Sequence, residues 1–158
     1  MTTIDLIILG ILKKDSLSAY DIQKLVEYRQ ISQWVRISTP SIYKKVLQLE
    51  KKGYIKSVLT KSGKKMEKAV YSLTTSGEKI FDELMLDISA KPIHIFLDFN
   101  AVIVNLDNLA WEKRQLCLEQ ITNNIRILKE RMQKNLDDKE QAKDIPAEGM
   151  SVLKQQFL

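Results

Sequence analysis

The sequence predicts a mainly α-helical protein with one small β-hairpin and a long helical arm at its C-terminal end. Three observations carry that prediction. Apolar residues recur at helical spacing through most of the 158 residues. Near the middle, two short runs rich in β-branched and aromatic residues, 54–59 and 69–73, flank a glycine-containing turn. Beyond Pro92, Leu118, Ile121, Ile125, Leu128 and Met132 repeat with 3-4-3-4 spacing, a seam suited to packing against another helix.

The elements follow in order. Thr3 is placed to cap a first helix over 3–13, because a hydroxyl accepts an orphan amide of the first turn. Ile4, Ile7, Ile8, Ile11 and Leu12 form its buried stripe, and Leu6 and Leu9 leave little polar face, so this is a central core helix. After a polar break at 13–16, Ser18 and Asp21 make a carboxylate variant of the capping box, with Tyr20, Ile22, Leu25 and Val26 at helical spacing behind it. Residues 28–38 are irregular, with room for a short strand at 34–37.

Thr39-Pro40 is the sharpest start signal: a threonine cap, then a proline whose preset φ suits the first helical position. The helix that follows runs to Lys52 and stops at Gly53, a left-handed terminator. Ile42, Val46 and Leu49 share one face, and Ser41, Lys44, Lys45, Gln48, Lys51 and Lys52 lie away from it. The hairpin turns through Lys61-Ser62-Gly63-Lys64-Lys65. Thr74 or Thr75 caps a fourth helix with stripe Ile80, Phe81, Leu84, Met85 and Ile88, ended by Pro92.

Composition changes there, which divides the chain into 1–91 and 92–158. Residues 93–104 are mixed and apolar, and 105–108 supply caps for a long helix over 109–136. The charged stretch 137–144 reads as a loop or frayed end. Pro146 starts a last short helix with Met150, Leu153 and Phe157 on one face.

The chain is 44% hydrophobic and 28% charged, ordinary for a protein with a real core. No apolar run reaches the roughly 18 residues of a membrane span, and the start lacks the basic region of a signal peptide. One cysteine, Cys117, cannot staple the chain to itself, which fits a cytoplasmic location. His94 and Cys117 stand alone, His94 as a surface or satisfied histidine and Cys117 as a small buried hydrophobe. Neither has a partner at metal-ligand spacing. There is no Gly-rich phosphate loop, no paired carboxylate setting and no nucleophile with an assigned base. The reading is of a protein that is not an enzyme and needs no cofactor or metal.

Net charge is +5, but residues 36–68 carry ten basic side chains against Glu50 and Glu67, an excess of eight. Such an excess implies a polyanionic partner, although a lysine cluster alone equally describes a solvated face. The element order supplies the discrimination. Three helices, a hairpin and a fourth helix make a winged helix-turn-helix, in which the third helix enters the major groove and the wing lies along the backbone or minor groove. The charge falls on those two elements.

The wording narrows the reading further. Ile7-Ile8-Leu9-Gly10-Ile11-Leu12 ahead of Tyr20, then Ser41-Ile42-Tyr43, Leu49-Glu50-Lys51-Lys52-Gly53-Tyr54-Ile55 and Tyr71-Ser72-Leu73-Thr74 with Gly77 resemble the PadR family of bacterial transcriptional regulators over residues 4–81. The family usually has His-Gly where this chain has Ser18-Ala19. Many members carry a basic pair where this chain has Leu47-Gln48, with lysines instead at 44 and 45; these departures bear on the preferred operator. The length and long final helix are similar to the larger subfamily. The resemblance implies a repressor that binds double-stranded DNA at an inverted repeat as a homodimer and is released by a small aromatic or amphipathic effector.

The expected DNA-binding residues are Tyr20, Thr39, Ser41, Tyr43, Lys44, Lys45, Gln48, Lys61, Lys64 and Lys65. Thr39, Ser41 and the first-turn amides approach phosphate, while Lys44, Lys45 and Gln48 face the groove. Tyr43 either stacks with Leu47 at the core edge or offers its hydroxyl to phosphate. Lys61, Lys64 and Lys65 make backbone contacts. Leu118, Ile121, Ile125, Leu128 and Met132 form the dimer seam. Met85, Phe96, Phe99, Trp111 and Met132 either line an effector pocket or are plain core. The competing functional class is a winged-helix protein-interaction module with a coiled-coil arm, against which the lysines of 61–68 argue.

Overall fold

The computed structural model describes residues 1–33, 35–60, 68–142 and 145–155. The chain forms two compact units, Met1–Ile93 and His94–Leu158. No helix among the described residues is long and apolar enough to cross a membrane.

The first unit is a winged helix-turn-helix: α1 Thr3–Lys14, α2 Ala19–Tyr28, α3 Ile42–Lys51, β1 Ile55–Thr60, β2 Lys68–Leu73 and α4 Thr75–Ser89. Its core forms where the apolar stripes of α1, α2 and α3 converge, with Ile8, Leu9, Ile22, Val26, Ile42 and Val46 fully buried. Each such side chain contributes about 1.5–3 kcal/mol relative to exposure. The strands pair antiparallel from Ile55 opposite Leu73 to Thr60 opposite Lys68. Leu17, just ahead of α2, exchanges both backbone hydrogen bonds with Tyr71 at 3.1 and 2.9 Å and so adds a bridge to the second edge of β2.

Several local expectations need correction. The cap of α1 is Thr2, not Thr3. The Thr2 amide donates to Asp5 Oδ2 at 2.7 Å, and that buried carboxylate sets the register. No strand forms at 35–37, and Ile37 instead packs as a partly buried residue against the core; Trp34 lies outside the described residues. The expected cap Thr39 is instead the first residue of a 3-10 turn Thr39–Ser41, which Ser38 caps, and Ser41 is the cap residue of α3 at Ile42. Thr74 caps α4, accepting from the Gly77 amide at 3.1 Å while its hydroxyl is directed at Gly53 O and Tyr54 O. That helix ends at Ser89, before Pro92 is reached.

The second unit contains α5 Phe99–Ile103, a 3-10 turn Leu106–Asn108, α6 Trp111–Ala142 and α7 Ala147–Lys154. The expected loop at 137–142 is helical. Lys139, Glu140, Gln141 and Ala142 are good helix formers, Gln133 Nε2 donates to Asp137 Oδ1 at 2.8 Å, and Lys154 on α7 pairs with Glu140. Leu136 and Met150 are this unit's buried hydrophobics among the described residues, and Phe157 lies outside them. Phe96, Met85 and Trp111 are exposed, so they are not plain core, and Cys117 is half-buried rather than buried. His94 is exposed and stacks on Phe96.

Candidate nucleic-acid interface

A helix that presents side chains to a duplex must first be fixed by its opposite face. In α3 the buried stripe Ile42, Val46 and Leu49 supplies that anchor. Its end is fixed as well: Gly53 adopts φ +74°, the Gly53 amide donates to Glu50 O at 2.8 Å and the Tyr54 amide donates to Leu49 O at 3.1 Å. These two bonds make a Schellman stop, and the left-handed residue they require is glycine. Ser57 Oγ then donates to Glu50 Oε1 at 2.5 Å, tying β1 back to the helix.

The outward face of α3 carries Tyr43, Lys44, Leu47 and Gln48. Tyr43 is 55% exposed and Leu47 52% exposed, so neither serves as core edge. Lys44 and Gln48 are exposed beside them. Lys45 behaves differently: its Nζ lies 3.3 Å from Oδ1 of Asp5 on α1, whose side chain is only 6% exposed. This lysine is therefore held against its own domain instead of standing with Lys44.

The entrance to α3 also differs from expectation. The amide and hydroxyl of Ser41 both donate to Ser38 O, at 3.0 and 2.6 Å, so neither of its donors is aimed at a phosphate in this state. Thr39 is half-buried in the same turn. Tyr20 is exposed at the start of α2, with Lys24 Nζ 5.6 Å from its ring centroid.

At the base of the wing, Lys68 Nζ donates to Asp21 Oδ2 at 2.6 Å. This contact, more than the Ser18 hydroxyl beside it, holds the Asp21 carboxyl below its usual range. Among the described residues of 36–68, Lys45 and Lys68 are thus paired with carboxylates outside that stretch. Lys61, Lys64 and Lys65 lie outside the described residues. Tyr71, on β2, is buried, and desolvation pushes its phenol up, with Glu50 and Tyr43 adding to the shift.

Sequence reasoning missed Asp5, Asp21 and Leu47 as participants. Thr2-x-x-Asp5 was available as a capping signal, but its reach to Lys45 depends on the fold. Among the described residues no group of three His, Cys, Asp or Glu side chains is arranged to hold a metal ion. On α6, Leu118, Ile121 and Met132 are half-buried and Ile125 and Leu128 exposed, so the described unit leaves the seam largely open.

Residues 8–83 match the family described as the transcriptional regulator PadR-like family. The negative transcriptional regulator PadR of Bacillus subtilis (strain 168) is 36% identical over 72 residues, which is 46% of this chain and 39% of that protein. The chain thus spans well under half the length of that curated relative. The structure of Bacillus subtilis PadR in complex with operator DNA superposes with a TM-score of 0.72 at 22% identity, covering 98% of this chain and 89% of that one. A PadR-like transcriptional regulator from Bacillus cereus gives 0.65 at 21% identity, with 96% and 86% covered. At these identities the structural likenesses carry the fold.

Proposed function

From the match of residues 8–83 to the transcriptional regulator PadR-like family, we propose that the chain is a repressor that binds an inverted-repeat operator as a homodimer. The observation that carries this reading is the outward face of α3, where Tyr43, Lys44, Leu47 and Gln48 stand in solvent opposite a fully buried anchor. A helix so held, following α2 and preceding a lysine-rich hairpin turn, suits the major groove. The Bacillus subtilis relative that carries operator DNA in its structure supports the same mode of use.

Tyr20, Thr39 and Tyr43 stand near the phosphates in this reading, and Lys44 and Gln48 address base edges. Lys61, Lys64 and Lys65 neutralise backbone charge, which adds affinity without sequence information. Reading two half-sites requires two α3 helices about 34–36 Å apart, and the seam Leu118, Ile121, Ile125, Leu128 and Met132 joins the two copies that set this spacing. A small aromatic or amphipathic effector releases the dimer from DNA. Action on the operator places the protein in the cytoplasm.

The test is fluorescence anisotropy of the full chain on duplexes from its own promoter region across a salt series. Salt-sensitive binding at micromolar protein or tighter is expected. Lys64→Ala with Lys65→Ala weakens binding to all duplexes and flattens the salt slope by about 1–2 units. No salt-sensitive binding would replace this reading with a protein-interaction module.

A further inference from the structure

We propose that Leu47 is a specificity-determining residue that reads the C5-methyl group of a thymine in each half-site. The inference rests on the reading of α3 as the DNA-contacting helix and names the chemistry at its centre. A singly exposed leucine on a protein surface is ordinary; what distinguishes Leu47 is where it stands. It lies four residues after Tyr43, three after Lys44 and directly before Gln48, all of them exposed. The buried face of Ile42, Val46 and Leu49 points the other way.

That face offers a limited set of chemistries. Lys44 is donor only, and Gln48 is donor and acceptor, so both address the polar atoms of base edges. Lys45, the remaining cation of this turn, is held by Asp5 at 3.3 Å. Leu47 has no polar atom and gains only by removing apolar surface from water. In the major groove thymine alone among the four bases presents an apolar group, its methyl. Against a cytosine amino group or a purine edge the same side chain strips water from a polar atom and returns no hydrogen bond, which is unfavourable. Leu47 therefore favours thymine by contact and disfavours the alternatives by desolvation.

The experiment starts from the full chain and an unmodified random-sequence duplex pool. The enriched duplex is resynthesised with each thymine replaced singly by deoxyuridine, which removes the methyl and keeps the pairing. Wild-type protein loses about threefold to fivefold in affinity at one position per half-site, the worth of one buried methyl group. The loss disappears in Leu47→Ala and persists in Leu47→Met, which retains an apolar side chain of similar reach. Leu47 is half exposed, so truncation leaves the Ile42, Val46 and Leu49 anchor in place, and unchanged circular dichroism checks this. Deoxyuridine penalties that are equal in wild type and Leu47→Ala at every position, or absent throughout, overturn the inference and leave DNA binding standing. A pool that yields no preferred duplex overturns the DNA-binding reading and this inference with it.

Discussion

The ammonium of Lys45 lies 3.3 Å from Oδ1 of Asp5, while Oδ2 of the same carboxylate accepts the Thr2 amide at 2.7 Å. One buried carboxylate thus caps α1 and holds the middle of α3. Leaving Asp5 unpartnered in this position costs the desolvation of a charge, so the contact favours a single orientation of α3 on α1. Lys44 and Lys45 are adjacent in sequence but differ in role, because successive residues on a helix project about 100° apart.

Alanine variants separate the two lysines. Lys44→Ala is expected to reduce the salt slope of DNA binding by about 1 and to leave stability nearly unchanged. Lys45→Ala leaves the slope in place and lowers stability by about 1–3 kcal/mol, since Asp5 keeps its burial and loses a charged partner. Salt-series anisotropy and urea unfolding measure both. A flattened slope with unchanged stability in Lys45→Ala would return that lysine to the DNA.

Gly77 stands in the first turn of α4, where its amide is capped by Thr74 Oγ1. A Cβ built there meets Tyr54 O at 2.0 Å, a backbone atom that cannot rotate away. Gly77→Ala is therefore expected to destabilise the first unit by at least about 2 kcal/mol, the range of severe overpacking. In Gly10→Ala the added Cβ meets only the Phe81 ring edge, at 3.2 Å, and the loss is smaller. Urea denaturation of the two variants gives the order, and equal midpoints would contradict it.

Acidification tests the wing base. Asp21 titrates below its ordinary value of 3.8, first because Lys68 donates to it and then through Ser18. A depressed carboxyl contributes stability that is complete above the unfolded value and disappears as pH falls through the folded one. The stability gap between wild type and Asp21→Asn should therefore stay constant above about pH 5 and close as pH falls below the ordinary value. Urea midpoints measured from pH 7 to pH 3 follow it. A gap that widens on acidification would mean that the Lys68 contact does not form in solution.

The parts of this protein that were legible in its sequence are those whose signals are local. The stripe Ile42, Val46 and Leu49 and the stop at Gly53 all lie within about three turns of one helix, and α3 follows from them. The cap of α1 was off by one because Thr2 and Thr3 are chemically equal candidates and the position of Asp5 chooses between them; before α3 the 3-10 turn Thr39–Ser41 takes Ser38 as its cap and leaves Ser41 as the cap of the α-helix. The charges of 137–144 suggested a loop or frayed end, yet the chain is helical to Ala142, where Asp137 accepts from Gln133 one turn earlier and Glu140 pairs with Lys154 of α7. The division of lysines could not be read, since Asp5 is 40 residues from Lys45 and Asp21 is 47 from Lys68. Only the packing of α1 and α2 brings those carboxylates near.

The last prediction concerns the seam. On the 32-residue α6, Leu118, Ile121 and Met132 are half-buried, while Ile125 is 46% and Leu128 50% exposed. Ile125→Asp with Leu128→Asp places carboxylates where the proposed partner helix packs, and burying them there without a cation is strongly unfavourable. The variant should sediment as the 18.3 kDa chain where the wild type sediments at twice that mass. Its helical circular dichroism is expected to persist, because neither residue belongs to the core of the first unit. Affinity for an inverted repeat should fall by about 100-fold or more while single half-site affinity is unchanged, since joining two half-site contacts is what multiplies their strength. A double variant that remains a dimer with full operator affinity would place the interface elsewhere on the chain.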